Sequence, residues 1–183
     1  FAVEESKVTA LPDEMDYNDG AMIEPLAVTV HAAKHYEHLE GANVAVLGCG
    51  PIGILLAQTC KALGAAKVMI TDVSDYRLDL AKKCGVDYAI NTKNVDFGDA
   101  MVEHFGPDKA DVIYDCAGNN ITIGQAIKYA RKGSKLVLVA VFAGMATVDL
   151  FTLNDHELDL DSTMMYRHED YVDAIRLVNE GKI

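Results

Sequence analysis

The feature that most constrains the fold is a regular alternation, from residue 43 onward, of short apolar runs with longer amphipathic stretches. Most of the apolar runs are rich in β-branched residues and are bounded by Gly, Asp or Asn, which is typical of strands buried on both faces. They lie at 44–47, 67–70, 87–90, 111–114, 135–139 and 157–160. Strand and helix in strict alternation require right-handed crossovers and a parallel sheet. The sequence therefore predicts an α/β fold with a doubly wound, six-stranded parallel sheet in the order 3-2-1-4-5-6.

The stretches between these runs have helical patterns, and each ends close to a glycine, which is a common helix stop. The predicted helices lie at 51–63, 75–84, 95–105, 121–131 and 171–180, and a long, mostly helical segment over 17–40 leads into the first strand. Residues 1–20 do not join the alternation, and segments 1–4 and 8–12 fit a strand followed by a linker. We therefore expect residues 1–20 to be the tail of a preceding domain and 21–183 to be the α/β domain.

The composition excludes several kinds of partner. The chain has 183 residues and is 50% hydrophobic, which is enough for one domain with a full core. Lys and Arg number 16 against 28 Asp and Glu, and the net charge of −12 repels phosphate backbones and anionic lipid. We therefore expect no nucleic acid and no membrane partner, and the apolar runs are too short to span a bilayer.

The two ends of the chain and its cysteines bear on where the protein works. The first residues carry no basic or long apolar segment of the kind that begins a signal peptide. The cysteine spacing fits neither a CxxC pair nor a disulfide framework, so we expect reduced thiols and a cytoplasmic location. Because the chain begins with Phe1 rather than Met and stops without a tail, we expect it to be a piece of a longer protein. The four cysteines are Cys49, Cys60, Cys84 and Cys116.

A GxGxxG motif joins the first predicted strand to the helix that follows it. Gly48 permits a tight turn, and Gly50 has no Cβ, so a pyrophosphate can approach the backbone at the helix N-terminus. Gly53 lets the helix pack close to the strand, and Pro51 and Ile52 complete the loop. The motif predicts a dinucleotide site, although a glycine-rich turn that binds nothing would have the same letters.

An acidic residue ends the second predicted strand. Asp72 lies 19 residues beyond Gly53, where a carboxylate accepts the hydrogen bonds of an adenosine ribose diol. The same carboxylate would repel a 2′-phosphate, and residues 73–75 include no Lys or Arg, so the pattern favours NAD over NADP. Arg77 either stacks on the adenine or is an exposed helix residue. An S-adenosylmethionine methyltransferase also places glycines after its first strand and an acid after its second, so that class stays open.

Three segments together resemble one family. Residues 21–53, with Ile-Glu-Pro-Leu and the Gly-Cys-Gly-Pro-Ile-Gly loop, resemble the medium-chain, zinc-type alcohol and polyol dehydrogenases, above all those acting on sorbitol and xylitol. Segments 71–82 and 174–183 resemble the same family, so the likeness covers essentially the whole chain. It implies the cofactor domain of an enzyme that oxidises a secondary alcohol to a ketone by hydride transfer to NAD. The catalytic domain would be missing, so we expect no catalytic residue here and no activity from this chain alone.

The resemblance also implies roles for particular residues. Glu24 stands at the position before Pro-Leu, which in the family lies beside the catalytic zinc as a ligand or near-ligand. A surface Glu favoured by the dipole at a helix start is the alternative, and the other zinc ligands would lie in the absent domain. Ala117, Val139 and Val141 would flank the nicotinamide, with Ile52 packed behind the ring. Family members usually carry Gly where this chain has Ala140.

Two other patterns have simpler interpretations. Histidines 31, 35 and 38 share one helix face, but Ala32 stands where a metalloprotease motif needs Glu, so we interpret them as packed or solvated. Paired methionines at 164 and 165 are more often core residues than part of a cofactor site, and we expect them in the core. Arg167 follows at a position whose role the resemblance leaves open.

The resemblance implies a small-molecule alcohol or polyol as substrate, and a homodimer or homotetramer built through the cofactor domains with the sixth strand at the edge. Three other classes stay open. They are a zinc-free medium-chain reductase similar to the quinone reductases, the methyltransferase named above, and a module that senses NAD without catalysis.

Overall fold

The computed structural model describes residues 2–183, and it contains a six-stranded, all-parallel sheet in the order β3-β2-β1-β4-β5-β6. The predicted fold class is confirmed. The strands are β1 Asn43–Leu47, β2 Lys67–Asp72, β3 Tyr88–Asn91, β4 Val112–Asp115, β5 Lys135–Leu138 and β6 Asp159–Ser162. The helices are α1 Tyr17–Lys34, α2 Pro51–Ala62, α3 Asp75–Lys83, α4 Phe97–Phe105, α5 Asn120–Tyr129, α6 Leu150–Asp155 and α7 His168–Asn179, preceded by a 3-10 turn at Glu5–Lys7.

The core follows from the alternation of side chains along the buried strands. In β1, Val44 and Val46 face one side of the sheet, where α1, α2 and α3 cover them. Ala45 and Leu47 face the other side, under α4 and α5. Both faces are therefore buried, which explains why the strands read as continuous apolar runs. A third cluster joins α1, α2 and α7.

The order of the strands places the site. β1 pairs with β2 on one side and with β4 on the other, so Leu47 at the end of β1 lies opposite Thr71 and Asp115. The chain leaves the sheet toward opposite faces on the two sides of β1, which opens a crevice at the carboxyl ends of these strands.

The N-terminal segment differs from the prediction. Residues 2–16 contain the 3-10 turn Glu5–Lys7 and no strand, so the prediction of a strand in this region is wrong. Phe1 lies outside the described residues. Most side chains of the segment are exposed. A strand there would have no neighbour to satisfy its backbone hydrogen bonds, which explains its absence.

Several boundaries also shift for local reasons. α4 begins at Phe97 rather than 95 because the Asp96 carboxylate caps it through the amides of Gly98 and Asp99. β6 begins at Asp159 rather than 157 because Glu157 has φ 49°, which ends the preceding turn. The short helix α6 was not predicted, and α1 ends at Lys34 rather than 40.

Across residues 2–183 the structure holds no helix whose length and apolar character would suffice to cross a membrane.

Candidate functional site

A cleft of about 710 Å³ opens at the carboxyl ends of β1, β2 and β4. Its volume lies in the range of small-molecule and cofactor sites. Five of the residues predicted to bind cofactor line it, namely Gly48, Gly50, Asp72, Arg77 and Ala117. The structure therefore brings the glycine motif and the acid of β2 to one surface.

Glycine is sterically required at two of the three glycine positions of the turn. Gly48 has φ +98°, and a Cβ there would lie 3.0 Å from the Ala117 Cβ and backbone nitrogen. A Cβ on Gly53 would lie 1.9 Å from the carbonyl oxygen of Gly48, which no backbone can accept without moving. A Cβ on Gly50 would meet nothing within 4 Å. Gly50 is therefore bare on the side that stays open, as the approach of a diphosphate requires.

Helix α2 presents free donors beside this turn. Pro51 occupies the first turn of α2 and has no N–H, and the amides of Ile52 and Gly53 find no acceptor in the described part of the chain. Unpaired amides at a helix N-terminus carry partial positive charge and bind anions. Pro51 and Gly53 thus shape the turn without lining the cleft.

The Asp72 carboxylate is held against the glycine turn. Its Oδ2 accepts from the amide of Cys49 at 2.9 Å, and its Oδ1 accepts from the amides of Val73 and Ser74 at 2.8 and 2.9 Å. The side chain is 7% exposed, and Arg77 Nη1 lies 3.6 Å from Oδ2. A carboxylate has about four acceptor sites. With three of them bound to backbone amides, Asp72 is oriented and about one acceptor site is left for a ligand, where the sequence predicted the two hydrogen bonds of a ribose diol.

Arg77 lies at the margin of the same cleft. Its side chain is 57% exposed and pairs loosely with Asp72, so it is an exposed helix residue that also lines the cleft. Stacking on the adenine stays a prediction.

The loop after β4 is fixed by a buried acid that the sequence reasoning missed. The Asp115 carboxylate accepts from the amides of Ala117 and Gly118 and from the Thr122 hydroxyl, at 2.9 to 3.0 Å. Burial raises the pKa of Asp115, and these three hydrogen bonds oppose that rise. The signal available in the sequence was an acid ending a strictly apolar strand. Asp115 thereby fixes the wall that packs against Gly48.

A second cleft of about 360 Å³ adjoins the first, since Cys116 and Ala117 line both. The other residues predicted to flank the nicotinamide, Ile52, Val139 and Val141, all line it. Val139 is 9% exposed and Val141 is 75% exposed, so the cleft runs from the buried end of β5 to the surface.

The paired methionines lie in this second cleft and not in the core. Met164 and Met165 are 66% and 53% exposed, so the expectation that they are core residues is wrong. They follow the last strand of the sheet, where the chain turns outward and Met165 adopts φ 59°.

Ala140 is accommodated by a neighbouring glycine. A Cβ on Gly118 would lie 2.7 Å from the Ala140 Cβ, so the methyl group of Ala140 occupies space that Gly118 leaves free.

Glu24 lies outside both clefts. It is exposed on α1, one helical turn before Val28, which lines the second cleft, so the two share a helix face. The carboxylate also lies near Tyr166, whose pKa is raised first by burial and then by Glu24. Residues 2–183 contain no group of three or more His, Cys, Asp or Glu side chains arranged to hold a metal. Within this part of the protein, Glu24 would be a single ligand of a site completed from elsewhere.

His31 and His35 are packed and paired, whereas His38 is exposed in the turn after α1, so the prediction that all three share one helix face is wrong. His31 Nδ1 lies 2.8 Å from Asp170 and His35 Nδ1 lies 2.7 Å from Asp161, which ties α1 to α7 and β6. This agrees with their interpretation as structural residues.

Comparisons with known proteins place this geometry in context. The sequence model of a family described as zinc-binding dehydrogenase matches residues 51–180. Sorbitol dehydrogenase 1 of Saccharomyces cerevisiae is 32% identical over 185 residues, which cover 98% of this chain and 52% of that protein. The chain spans about half the length of the curated relatives it matches.

Solved structures share the fold over nearly the whole chain. L-idonate 5-dehydrogenase of Escherichia coli aligns with a TM-score of 0.90 at 31% identity, covering 99% of this chain and 51% of that one. An alcohol dehydrogenase of Escherichia coli complexed with NADH has a TM-score of 0.90 at 25% identity, covering 99% and 53%. A zinc-binding dehydrogenase of Sinorhizobium meliloti bound to NADP has a TM-score of 0.86 at 26% identity, covering 94% and 52%.

Proposed function

Because the chain belongs to the zinc-binding dehydrogenase family, we propose that it is the cofactor-binding domain of an NAD-linked alcohol or polyol dehydrogenase. The observation that carries the proposal is the hydrogen bond of 2.9 Å from the Cys49 amide to Asp72, which locks the acid of β2 onto the glycine turn. A diphosphate and a ribose of one dinucleotide can be bound together only where these two features meet.

Each part of the dinucleotide has a matching surface. The diphosphate lies over bare Gly50 and accepts from the free amides of Ile52 and Gly53. The adenosine ribose donates to Asp72 in the first cleft. The nicotinamide lies in the second cleft between aliphatic walls that include Val139. The shared wall at Ala117 separates the two halves, so the chain orients the nicotinamide ring and excludes water from one of its faces.

The preference for NAD rests on charge. A 2′-phosphate at the adenosine ribose would lie against the Asp72 carboxylate, and Arg77 is the one basic side chain among the described residues lining that cleft. Related structures are described with NADH in one case and with NADP in another, so family membership by itself leaves both open. The carboxylate supports NAD for this chain.

The reaction belongs to the whole protein. There, zinc would supply a Lewis acid that lowers the pKa of the alcohol hydroxyl, so that the hydroxyl proton would pass to solvent and the hydride from carbon to the nicotinamide, leaving a ketone. Glu24 is our candidate zinc ligand or near-ligand, on the α1 face that carries Val28 into the second cleft. We expect this chain alone to be inactive, because it supplies no further ligand group within residues 2–183.

The substrate is proposed only as a chemical class, and the assembly and location rest on fewer observations. Relatives named for sorbitol, L-idonate and butanediol support an alcohol or polyol. A homodimer or homotetramer through β6 is supported by the place of β6 at the end of the strand order. The division at residue 20 stays a prediction, and free cysteines support the proposed cytoplasmic location.

The test is a calorimetric titration of the 183-residue chain with NADH, NADPH and S-adenosylmethionine. We expect NADH to bind and S-adenosylmethionine not to bind. Asp72→Asn should weaken NADH binding by roughly ten-fold, the effect of losing one charge-assisted hydrogen bond. It should also lower the ratio of the NADH affinity to the NADPH affinity. Asp79→Ala, which removes an exposed acid from α3, is the matched control and should change neither value.

The ratio of the two affinities is informative because a general loss of folding lowers both together. An unchanged ratio in Asp72→Asn would show that this acid does not bind the ribose. Binding of S-adenosylmethionine in place of NADH would refute the proposed dinucleotide site.

A further inference from the structure

A cleft of about 230 Å³ lies between α1 and the start of α7, and it shares no lining residue with the two clefts described above. His31 of α1 lines it together with His35, which follows the last residue of α1 with helical backbone angles. Residues four apart on a helix are neighbours on its surface, and two histidines at this spacing can bind one zinc ion. The pair is therefore a candidate metal site outside the surfaces assigned to the dinucleotide.

Each of the two rings uses its Nδ1 for a hydrogen bond with a carboxylate. His31 Nδ1 lies 2.8 Å from an oxygen of Asp170, and His35 Nδ1 lies 2.7 Å from an oxygen of Asp161. An ionised carboxylate only accepts, so Nδ1 is the donor in both rings, and a neutral ring then carries its lone pair on Nε2. Carboxylates that hold Nδ1 in this way orient the histidine ligands of metal sites.

The Nε2 atoms of both rings are left available. Neither makes a hydrogen bond or an ion pair with any residue from 2 to 183, and neither is among the buried atoms without a partner. The side chains of His31 and His35 are 18% and 23% exposed. Each ring is therefore held at one nitrogen and accessible at the other, as a metal ligand must be.

The separation of the rings matches that of two ligands of one ion. The ring centres of His31 and His35 lie 5.3 Å apart, with an angle of 89° between the ring planes. Two imidazoles bound to one tetrahedral zinc ion have ring centres about 5 Å apart, because each centre lies about 3 Å from the ion. Coordination fixes the direction of each Nε2 lone pair and leaves the angle between the ring planes free.

The charges around the pair admit a cation. Glu169 lines the same cleft, is 64% exposed, and has its closest cationic neighbour, Arg167, at 3.9 Å, so its carboxylate can turn toward an ion. Lys34 also lines the cleft, but its ammonium group lies 2.7 Å from Asp170 and 2.7 Å from Asp173, which neutralise its charge. A carboxylate is a common third ligand of zinc beside two histidines.

We propose that Nε2 of His31 and Nε2 of His35 together bind one Zn²⁺ ion, with Glu169 and water as its remaining ligands. Residues 2–183 contain no preformed group of three ligands, so the two nitrogens are in place and Glu169 moves in with the ion. The bound ion links α1 to the start of α7. The site is distinct from the position proposed for Glu24, which lies two turns earlier in α1, about 10 Å along the helix axis. This inference does not depend on the proposed function.

The experiment is a calorimetric titration of Zn²⁺ into the metal-free 183-residue chain and into its His31→Asn and His35→Asn variants. The side-chain nitrogen of Asn can replace Nδ1 as a donor to the same carboxylate, but Asn has no atom at the position of Nε2. We expect one Zn²⁺ to bind per chain. Each histidine variant should raise the Zn²⁺ dissociation constant by roughly ten-fold or more, and Glu169→Gln should raise it by roughly three- to ten-fold, since each removes one ligand.

Thermal unfolding gives an independent measurement. An ion that binds only the folded chain stabilises it, so Zn²⁺ should raise the Tm of the unsubstituted chain and hardly change that of His31→Asn or His35→Asn. Without metal, both variants should melt close to the unsubstituted chain, because the hydrogen bonds to the carboxylates are kept. If a variant does not fold, the ¹⁵N resonances of the unsubstituted chain still test the site: Zn²⁺ should shift Nε2 of His31 and His35 and leave His104 unchanged.

Three control variants should bind Zn²⁺ as the unsubstituted chain does. His38→Asn removes an exposed histidine from the turn after α1, Cys84→Ser removes a half-buried thiol, and Glu24→Gln removes the carboxylate proposed for the catalytic zinc. The inference is wrong if the unsubstituted chain binds no Zn²⁺, or if His31→Asn and His35→Asn bind it equally well. Loss of binding in any of the three controls would also overturn it, because the ion would then lie elsewhere.

Discussion

Gly53→Ala is the substitution whose effect the structure determines most directly. The added Cβ would lie 1.9 Å from the carbonyl oxygen of Gly48, whereas ordinary contact begins at 3.4 Å. The position of a Cβ is fixed by its own backbone, and the Gly48 oxygen is a backbone atom, so no side-chain rotation relieves the overlap. Either the glycine turn moves away from α2 or the helix moves away from β1.

The expected cost follows from two opposing effects. Inserting a methyl group into a packed site costs about 1–3 kcal/mol, and an overlap with backbone belongs at the upper end. Alanine in place of glycine inside a helix returns about 0.5–1 kcal/mol. The net loss is about 2 kcal/mol, which for a chain of this length lowers the Tm by roughly 4–8 °C.

Gly124→Ala is the matched control. Gly124 is also in a helix, α5, and a Cβ there would meet nothing within 4 Å. The same chemical change should therefore stabilise the chain by about 0.5–1 kcal/mol. Thermal unfolding followed by circular dichroism should show the two variants shifting in opposite directions.

Displacement of the turn should also weaken ligand binding. Gly53→Ala is expected to bind NADH more weakly, because the amides at the start of α2 and the Cys49 amide on Asp72 no longer converge. A Gly53→Ala protein that melts at or above the unsubstituted chain and binds NADH normally would refute the close approach of α2 to the turn.

Two further predictions concern the diphosphate site at Gly50 and the pairing of Asp161 with His35. Gly50→Ala adds a Cβ that meets no other atom within 4 Å, so the Tm measured by thermal unfolding should stay unchanged. Calorimetry should show NADH binding weakened by roughly ten-fold, because the Cβ lies where the diphosphate approaches. Unchanged NADH binding would mean that no diphosphate approaches Gly50. The hydrogen bond from His35 lowers the pKa of Asp161 from its usual 3.8 to about 2. The contribution of this pair to stability is therefore complete above about pH 4 and is lost as the pH falls toward 2. The stability difference between the unsubstituted chain and Asp161→Asn, from urea unfolding, should therefore shrink over that interval, and a difference independent of pH would contradict the pairing.

Local patterns in the sequence predicted most of the fold. Buried parallel strands need apolar residues on both faces, and helices need caps and glycine stops, so both leave marks within a few residues. The glycine turn is equally local, because the clash at Gly53 involves a carbonyl only five residues away. The acid at Asp72 followed from the same logic, since it ends the strand next to the turn.

Features that depend on distant contacts were missed or misplaced. The paired methionines read as core residues, but the sheet ends at β6 and leaves them exposed beside a cleft. The role of Asp115 depends on the amides of a loop that only the folded chain brings to it. Thr163 is buried, and its hydroxyl has no hydrogen-bond partner among residues 2–183. The sequence carries no signal of this, because the residue type is the same with or without a partner.

What the amino-acid sequence determined by itself was the alternation of strands and helices, the glycine turn and the acid that ends β2, since sterics and periodicity act between near neighbours. What the tertiary structure decided was how the two clefts join at Ala117, which side chains stand at their walls, and which polar groups the fold leaves unpaired. Those properties arise from packing between elements far apart in the chain. The residue type determines which hydrogen bonds a group can make, and only its neighbours in the folded chain determine whether those bonds are made.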